Sequence, residues 1–280
     1  MVKIAAVGDN VVDCYVSRGL MYPGGNCLNV SVFARRFGAA SAYIGAIGAD
    51  PAGRLIATAL NEEGVDTSRL RVVEGRTAYC VIGHRGADRM FLTSDLGVSV
   101  FEPSPEDLVF LRGFDAVHVG QSSGLDRFVP AIAAAAPLSY DFSVRRDAAH
   151  REAIGPLCFL SSVSGGDIPP DRAESVADHL LALGSQWVLV TRGGEGAMLA
   201  RAGAGFRIAA VPADAVDTLG AGDAFTARVL FGLMCAEAPQ NALEAASIAA
   251  ARTCEYFGAV GHGAPLDVAV DLRQMTKRGS

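Results

Sequence analysis

Val216-Asp217-Thr218-Leu219-Gly220-Ala221-Gly222-Asp223-Ala224-Phe225 sets small residues between two aspartates, directly ahead of a run that reads as a helix through Ala236. Glycines there let the backbone turn tightly and bring N–H groups close to a ligand. The start of a helix adds unsatisfied donors and the positive end of the macrodipole, a setting that suits a phosphate. A short Gly-x-Gly-Asp before a helix is often only a turn whose Asp complements the dipole. The longer Asp-Thr-x-Gly-Ala-Gly-Asp string favours chemistry. Phosphoryl transfer needs an anion cradle, charge neutralisation and a group that orients the acceptor hydroxyl. The amides of Gly220, Ala221 and Gly222 suit the first need and Asp223 the third.

The bulk composition narrows the class. At 280 residues, 50% hydrophobic and 19% charged, the chain can bury the core of one large domain, alone or with a small appendage. A net charge of -6 without a dense Lys/Arg cluster argues against a nucleic-acid surface. No apolar stretch is long enough to span a bilayer, and Met1-Val2-Lys3-Ile4-Ala5-Ala6-Val7-Gly8-Asp9 turns acidic too soon for a signal peptide. Six cysteines without a Cys-x-x-Cys pair read as core residues in a reduced compartment, and the dispersed histidines offer no zinc set. The expectation is a soluble, cytoplasmic protein.

Strand-like and helix-like segments alternate, which predicts an α/β architecture with a largely parallel sheet. Apolar strands are expected at 4–7, 42–47, 116–119, 158–160 and 187–191, and helices over 28–37, 52–63, 128–135, 173–183, 224–236 and 242–257. Between 70 and 96 the helical signal stops. Two strands, 77–82 and 89–93, are expected there around the polar turn Arg85-Gly86-Ala87-Asp88. With 13–22 they would form either a small projecting sheet or an edge hairpin of the main one. Residues 266–280 read as a C-terminal tail.

A second constellation lies near the start. Gly8-Asp9-Asn10-Val11-Val12-Asp13 closes the first strand with two carboxylates, and Pro23-Gly24-Gly25-Asn26-Cys27-Leu28-Asn29 leads through a Gly-Gly turn into a helix. Ligands of open α/β sheets bind at the carboxyl ends of the strands. Asp and Asn there suit sugar hydroxyls, although Asn26 and Asn29 could equally be capping residues.

Both segments, with the Asp-Thr-x-Gly-Ala-Gly-Asp string, resemble the signatures of the ribokinase / phosphofructokinase-B (PfkB) family of carbohydrate kinases. The stretch from Gly8 through Phe37-Gly38, with Ile47-Gly48-Ala49-Asp50 and Asp88-Arg89, looks most like that family's fructoselysine 6-kinase branch. The resemblance implies a ribokinase-like three-layer α/β/α sandwich over 1–265, with a small β-sheet lid from about 13–22 and 70–96. It implies Asp223 as catalytic base, the Gly220-Ala221-Gly222 amides as anion hole, and Asp9, Asp13, Gly24, Gly25, Asn26, Asn29 and Arg89 at the sugar. Thr77 and Arg89 would face the substrate or a partner subunit. Nucleotide would lie near Thr191, Gly193, Gly196, Gly220 and Gly222, although Gly193-Gly194-Glu195-Gly196 alone reads as a hairpin turn. Asp217 and the 258–262 loop would hold a monovalent cation such as K⁺ through backbone oxygens. The implied cofactors are ATP and Mg²⁺, and the implied assembly a homodimer through the lid.

One departure stands out. Where the family carries an Asn-x-x-Glu motif that organises Mg²⁺, this chain reads Ser161-Ser162-Val163-Ser164-Gly165-Gly166-Asp167. The metal's surroundings would then come from Asp167, Asp141 or the nucleotide itself, with Arg192 offsetting phosphate charge or lying on the surface. A dinucleotide oxidoreductase is disfavoured because Gly220-Ala221-Gly222-Asp223-Ala224-Phe225 lacks a third glycine, and no Walker A string occurs. The reading is an ATP-dependent kinase acting on a primary hydroxyl of a sugar or fructosamine. The alternatives are a kinase of ketohexose, ribose or keto-deoxy-gluconate, or a degenerate sugar or nucleotide binder.

Overall fold

In β1 (Lys3–Val7) side chains alternate across the strand, so Ile4 and Ala6 point to one side and Ala5 and Val7 to the other. All four are fully buried. A strand buried on both faces belongs inside a sheet covered by helices on each side. A computed structural model of the chain describes residues 1–85 and 88–269, with backbone alone at 84, 85 and 88–90.

The chain continues through β2 (Val11–Tyr15), β3 (Leu20–Gly24), α1 (Asn26–Arg36), β4 (Ala40–Gly48), α2 (Pro51–Glu62) and β5 (Asp66–Val73). A hairpin of β6 (Tyr79–Arg85) and β7 (Asp88–Asp95) precedes α3 (Pro105–Leu111), β8 (Ala116–Gly120), α4 (Val129–Ala135), β9 (Leu138–Asp141) and α5 (Ala148–Ile154). Then come β10 (Cys158–Ser164), α6 (Pro170–Leu183), β11 (Trp187–Thr191), β12 (Ala197–Arg201) and β13 (Ala204–Ile208). The chain closes with α7 (Ala221–Met234), α8 (Pro239–Thr253) and the short β14 (Ala264–Pro265).

The main sheet is nine-stranded, in the order β13-β12-β11-β10-β9-β8-β1-β4-β5. Its strands are parallel from β11 across to β5, and β12 and β13 add an antiparallel hairpin at one edge. On one face, Phe225, Val229 and Leu230 of α7 and Leu243 of α8 pack with Ile4, Leu160 and Leu189. On the other, Leu111, Ile132, Ile154 and Leu180 from α3 to α6 pack with Val7, Val117 and Val188. Because β4 lies on one side of β1 and β8 on the other, a crevice opens beyond their carboxyl ends, where such sheets bind ligands.

A second, five-stranded sheet has the order β14-β3-β2-β6-β7. The hairpin expected from 77 to 93 is therefore in a separate sheet with the 13–22 segment. Residues 70–73, expected in that small sheet, instead finish β5 at the edge of the main one, with Leu70 to Val73 in register with Gly45 to Gly48 of β4. The parallel partner wins because β5 follows α2 as the return strand of a β-α-β unit. Residues 270–280 of the expected tail lie outside the described residues.

Candidate active site

Some helix starts in this chain are closed by a side chain at the N-cap. Asp50 caps α2, Ser104 caps α3 and Asp147 caps α5. The start of α7 is open: its N-cap is Gly220, at φ 78°, and no side chain caps it. A Cβ on Gly220 would lie 2.3 Å from that of Ala259, so glycine is required twice over, by the left-handed backbone and by the close approach. The first-turn amides of α7 have no intrahelical acceptors. They border a cleft of about 320 Å³ that also contains Asp223 and the ends of the central strands.

Each strand end contributes. Asp9 follows β1, Gln121 follows β8, Asp141 ends β9, Ser162 and Ser164 lie at the end of β10, and Thr191 ends β11. From the small sheet come Asp13, Cys80, Phe91 and Ser94. Gly25, Asn26 and Asn29 of the Gly-Gly turn and α1 complete the wall. The sequence-predicted Asp9, Asp13, Gly25, Asn26, Asn29, Thr191, Gly220, Gly222 and Asp223, drawn from distant parts of the chain, thus line one cleft. Gly24 stands behind it, where a Cβ would come within 2.0 Å of Asp13 Oδ2.

Asp223 is held on two sides. Asn29 Nδ2 donates to its Oδ2 at 2.7 Å and Asn26 Nδ2 to its Oδ1 at 2.8 Å. The same Asn26 nitrogen donates to Asp141 Oδ2 at 3.0 Å, which spends both of its hydrogens on carboxylates. Asp141 also receives the Ser143 amide at 2.8 Å and the Ser162 hydroxyl at 3.2 Å. Burial, reinforced by the charges of Asp223 and Asp9 against these hydrogen bonds, lifts its carboxyl to about 7. Asp9 accepts from the amides of Asn26 and Cys27 and from the Ser123 hydroxyl, so it serves as the anionic cap of α1 as well as part of the wall.

Several expectations are corrected. Thr77 does not face the cleft: its hydroxyl donates to Asp50 at 2.6 Å and accepts from the Gly48 amide, because it joins the end of β4 to the start of α2. Those Thr77 contacts outweigh the opposing effect of burial and hold the Asp50 carboxyl below the usual range. Ser161 is turned into the core against Ser185, while Asp167 pairs with Arg146. Of the two carboxylates considered for the metal's surroundings, Asp141 is the one in the cleft. Arg192 pairs with Glu195 and donates to the Ile168 carbonyl. Gly193 and Gly196 belong to the tight turn between β11 and β12, as a hairpin reading of that string implies, and neither lines the cleft. The Arg89 side chain lies outside the described residues; its backbone pairs with His84 across the β6–β7 hairpin.

Asp217 is buried, and its carboxylate accepts from the Tyr15 hydroxyl, the Leu219 amide at 3.1 Å and the Gly258 amide at 3.0 Å. Three of a carboxylate's roughly four acceptor positions are thereby taken. In the neighbouring loop the Ala259 carbonyl accepts from Tyr256 and the Val260 carbonyl from Arg36. The expected cation site rests on backbone oxygens, of which the Ala259 and Val260 carbonyls already accept hydrogen bonds, and no step is assigned to a cation.

Sequence reading passed over His118, Ser139 and Tyr15. None sits in a recognisable motif, and only strand register brings them to the site.

The geometry agrees with comparisons to known proteins. The model of the "pfkB family carbohydrate kinase" matches residues 2–136 and 160–265. The chain is 34% identical over 270 residues to the fructosamine kinase FrlD of Bacillus subtilis, covering 94% of each. It is 30% identical over 264 residues to the fructoselysine 6-kinase of Escherichia coli K12, covering 92% of this chain and all of that one (100%). Among solved structures, Arabidopsis thaliana ribokinase complexed with ribose and ATP matches with a TM-score of 0.79 at 19% identity, covering 93% and 95% of the two chains. Its likeness confirms the ribokinase-like fold. With the family model matching residues 2–136 and 160–265, most of both sheets and of the cleft, the chain belongs to the pfkB family of carbohydrate kinases.

Proposed function

We propose that the chain transfers the γ-phosphoryl group of MgATP to a primary hydroxyl of a fructosamine, with Asp223 as the base. The observation that carries this reading is the meeting of an uncapped helix start with a carboxylate held by two amides. The α7 amides accept the charge of the transferring phosphoryl group, a contact type whose removal typically costs roughly 3 kcal/mol. Asn26 and Asn29 keep Asp223 oriented, and its place in the first turn of α7 favours the ionised form. The hydroxyl loses its proton late in a loose transition state, so orientation comes first. Asp13 and Gly25 are the sugar-side wall. The small sheet is the lid, which keeps water from competing as acceptor.

Two things support a fructosamine over other sugars. The relatives at 34% and 30% identity are named for fructosamine and fructoselysine. The cleft also suits a cation, since among the described residues its charged lining is Asp9, Asp13, Asp141 and Asp223, with no Lys or Arg. A protonated amine gains from that field, whereas the carboxylate of a keto-deoxy acid is repelled. Among the described residues no three His, Cys, Asp or Glu side chains are grouped to hold a metal ion. The crowded Asp141–Asp223 pair nevertheless fits a divalent cation brought in with the nucleotide, where Mg²⁺, keeping its waters, would neutralise phosphate charge.

The test is an ADP-release assay with fructoselysine, fructose, ribose and keto-deoxy-gluconate as acceptors, run on the wild type and on Asp223→Asn. Highest kcat/KM on fructoselysine, with at least about a hundredfold loss of kcat in the variant, is expected. Near-normal turnover by Asp223→Asn would remove the base; turnover on no acceptor would leave a degenerate binder.

A further inference from the structure

His118 is completely buried in β8, yet its ring reaches the active-site amide. Asn26 gives both hydrogens of its Nδ2 to Asp223 and Asp141, so its Oδ1 faces the other way, 2.9 Å from His118 Nε2. That oxygen is an acceptor, so Nε2 carries the hydrogen. Burial keeps the ring neutral, pushing its pKa down to about 3, so Nδ1 is an acceptor and takes the Ser139 hydroxyl at 3.0 Å. Parallel register sets Ser139 directly beside His118 on β9. The bonds therefore run in one sense: Ser139 to His118, His118 to Asn26, Asn26 to the two carboxylates.

We propose that His118, held by Ser139, is a positioning residue for phosphoryl transfer, fixing through Asn26 the angle at which Asp223 meets the acceptor hydroxyl. This rests on the reading of Asp223 as base. The alternative orientation of the Asn26 amide would aim its oxygen at two carboxylates, and the His118 hydrogen closes the other side. Space is prepared for this arrangement at Gly120, where a Cβ would lie 2.2 Å from Asn26 Oδ1. Asn26 is thus occupied within the protein, and the sugar-reading role expected of it passes to its neighbours. Without the His118 donor the amide can turn and Asp223 loses one of its restraints. Misplacement of a reacting group by about 1 Å costs on the order of a hundredfold in rate.

The experiment compares His118→Leu, His118→Gln and Asp223→Asn by steady-state kinetics on the best acceptor of the panel, with thermal melting of each. Leucine removes the donor; glutamine offers an N–H in place of Nε2. The expected result is a fall in kcat of about 10- to 100-fold in His118→Leu, KM for MgATP within about twofold, and recovery of most of the loss in His118→Gln. A wild-type kcat in His118→Leu beside an inactive Asp223→Asn overturns the positioning role and leaves the base intact. Equal losses in both His118 variants also overturn it, because side-chain volume would then be the cause. An active Asp223→Asn overturns the base and this inference together. Should His118→Leu not fold, Ser139→Ala carries the comparison: a lowered kcat at unchanged MgATP KM supports the role, and an unchanged kcat overturns it.

Discussion

Asp141 and Asp223 share the hydrogens of one amide, and that sharing has a pH signature. Burial lifts the folded Asp141 carboxyl from an ordinary 3.8 to about 7, so the folded chain holds a proton that the unfolded chain has released. The stability this contributes is complete below about 4 and is lost as the pH climbs through about 7. Asp141→Asn removes the titration. Its melting temperature relative to the wild type should therefore be higher at pH 7.5 than at pH 5, by about 2–4 °C per kcal/mol for a chain of this size. An identical difference at both pH values would exclude the effect. At Gly24 the expectation concerns the sugar. A Cβ 2.0 Å from Asp13 Oδ2 forces that carboxylate aside. Overpacking of about 1–3 kcal/mol should raise the acceptor KM of Gly24→Ala roughly tenfold, leaving the MgATP KM near its wild-type value.

At the scale of elements, Tyr15 carries β2 of the small sheet to the loop ahead of α7, because its hydroxyl donates to buried Asp217. The same carboxylate holds the Leu219 amide, so one residue ties the small sheet to the turn ahead of α7. Tyr15→Phe leaves the ring packed and removes a hydrogen bond to a charged group. It should destabilise the fold by about 1.5–3 kcal/mol in denaturant unfolding. Since the Asp217 carboxylate and the Ala259 and Val260 carbonyls already have donors, replacing K⁺ by a bulky organic cation should leave kcat unchanged; loss of activity would show that the remaining backbone oxygens of the 258–262 loop take an ion. Most long elements could be read from sequence. The helix expected at 173–183 begins earlier, at Pro170, and ends before Gly184 in the left-handed conformation that a C-cap glycine permits. Helices α3 and α5 and strand β9 were not legible. Each has seven residues or fewer, too short for a hydrophobic period to stand out, and their stability comes from packing.

For the molecule as a whole, the small sheet borders the cleft, and both sheets carry exposed apolar side chains. Phe91 of β7 is 62% exposed, and Val72 on the edge strand β5 of the main sheet is 64% exposed. A homodimer through the lid would cover such residues. Sedimentation is expected to give a dimer for the wild type and a monomer for Phe91→Asp; a monomeric wild type excludes the proposal. No helix among the described residues is long and apolar enough to cross a membrane.

The sequence by itself determined the layered α/β plan, since alternating apolar strands and periodic helices leave few other packings. It also determined the glycine-rich turn at the start of α7, because glycines and a helix start are local features that carry their own backbone chemistry. What only the tertiary structure decided is which side chains reach Asp223. Asn26 meets Asp223 across 197 positions of sequence separation, and His118 meets Asn26 across 92. Such contacts depend on strand register and on the room left at Gly120, neither of which is written in any local pattern. The same holds for Asp217, whose carboxylate takes hydrogen bonds from Tyr15, Leu219 and Gly258. Local chemistry proposes the reaction centre, and long-range packing sets its geometry.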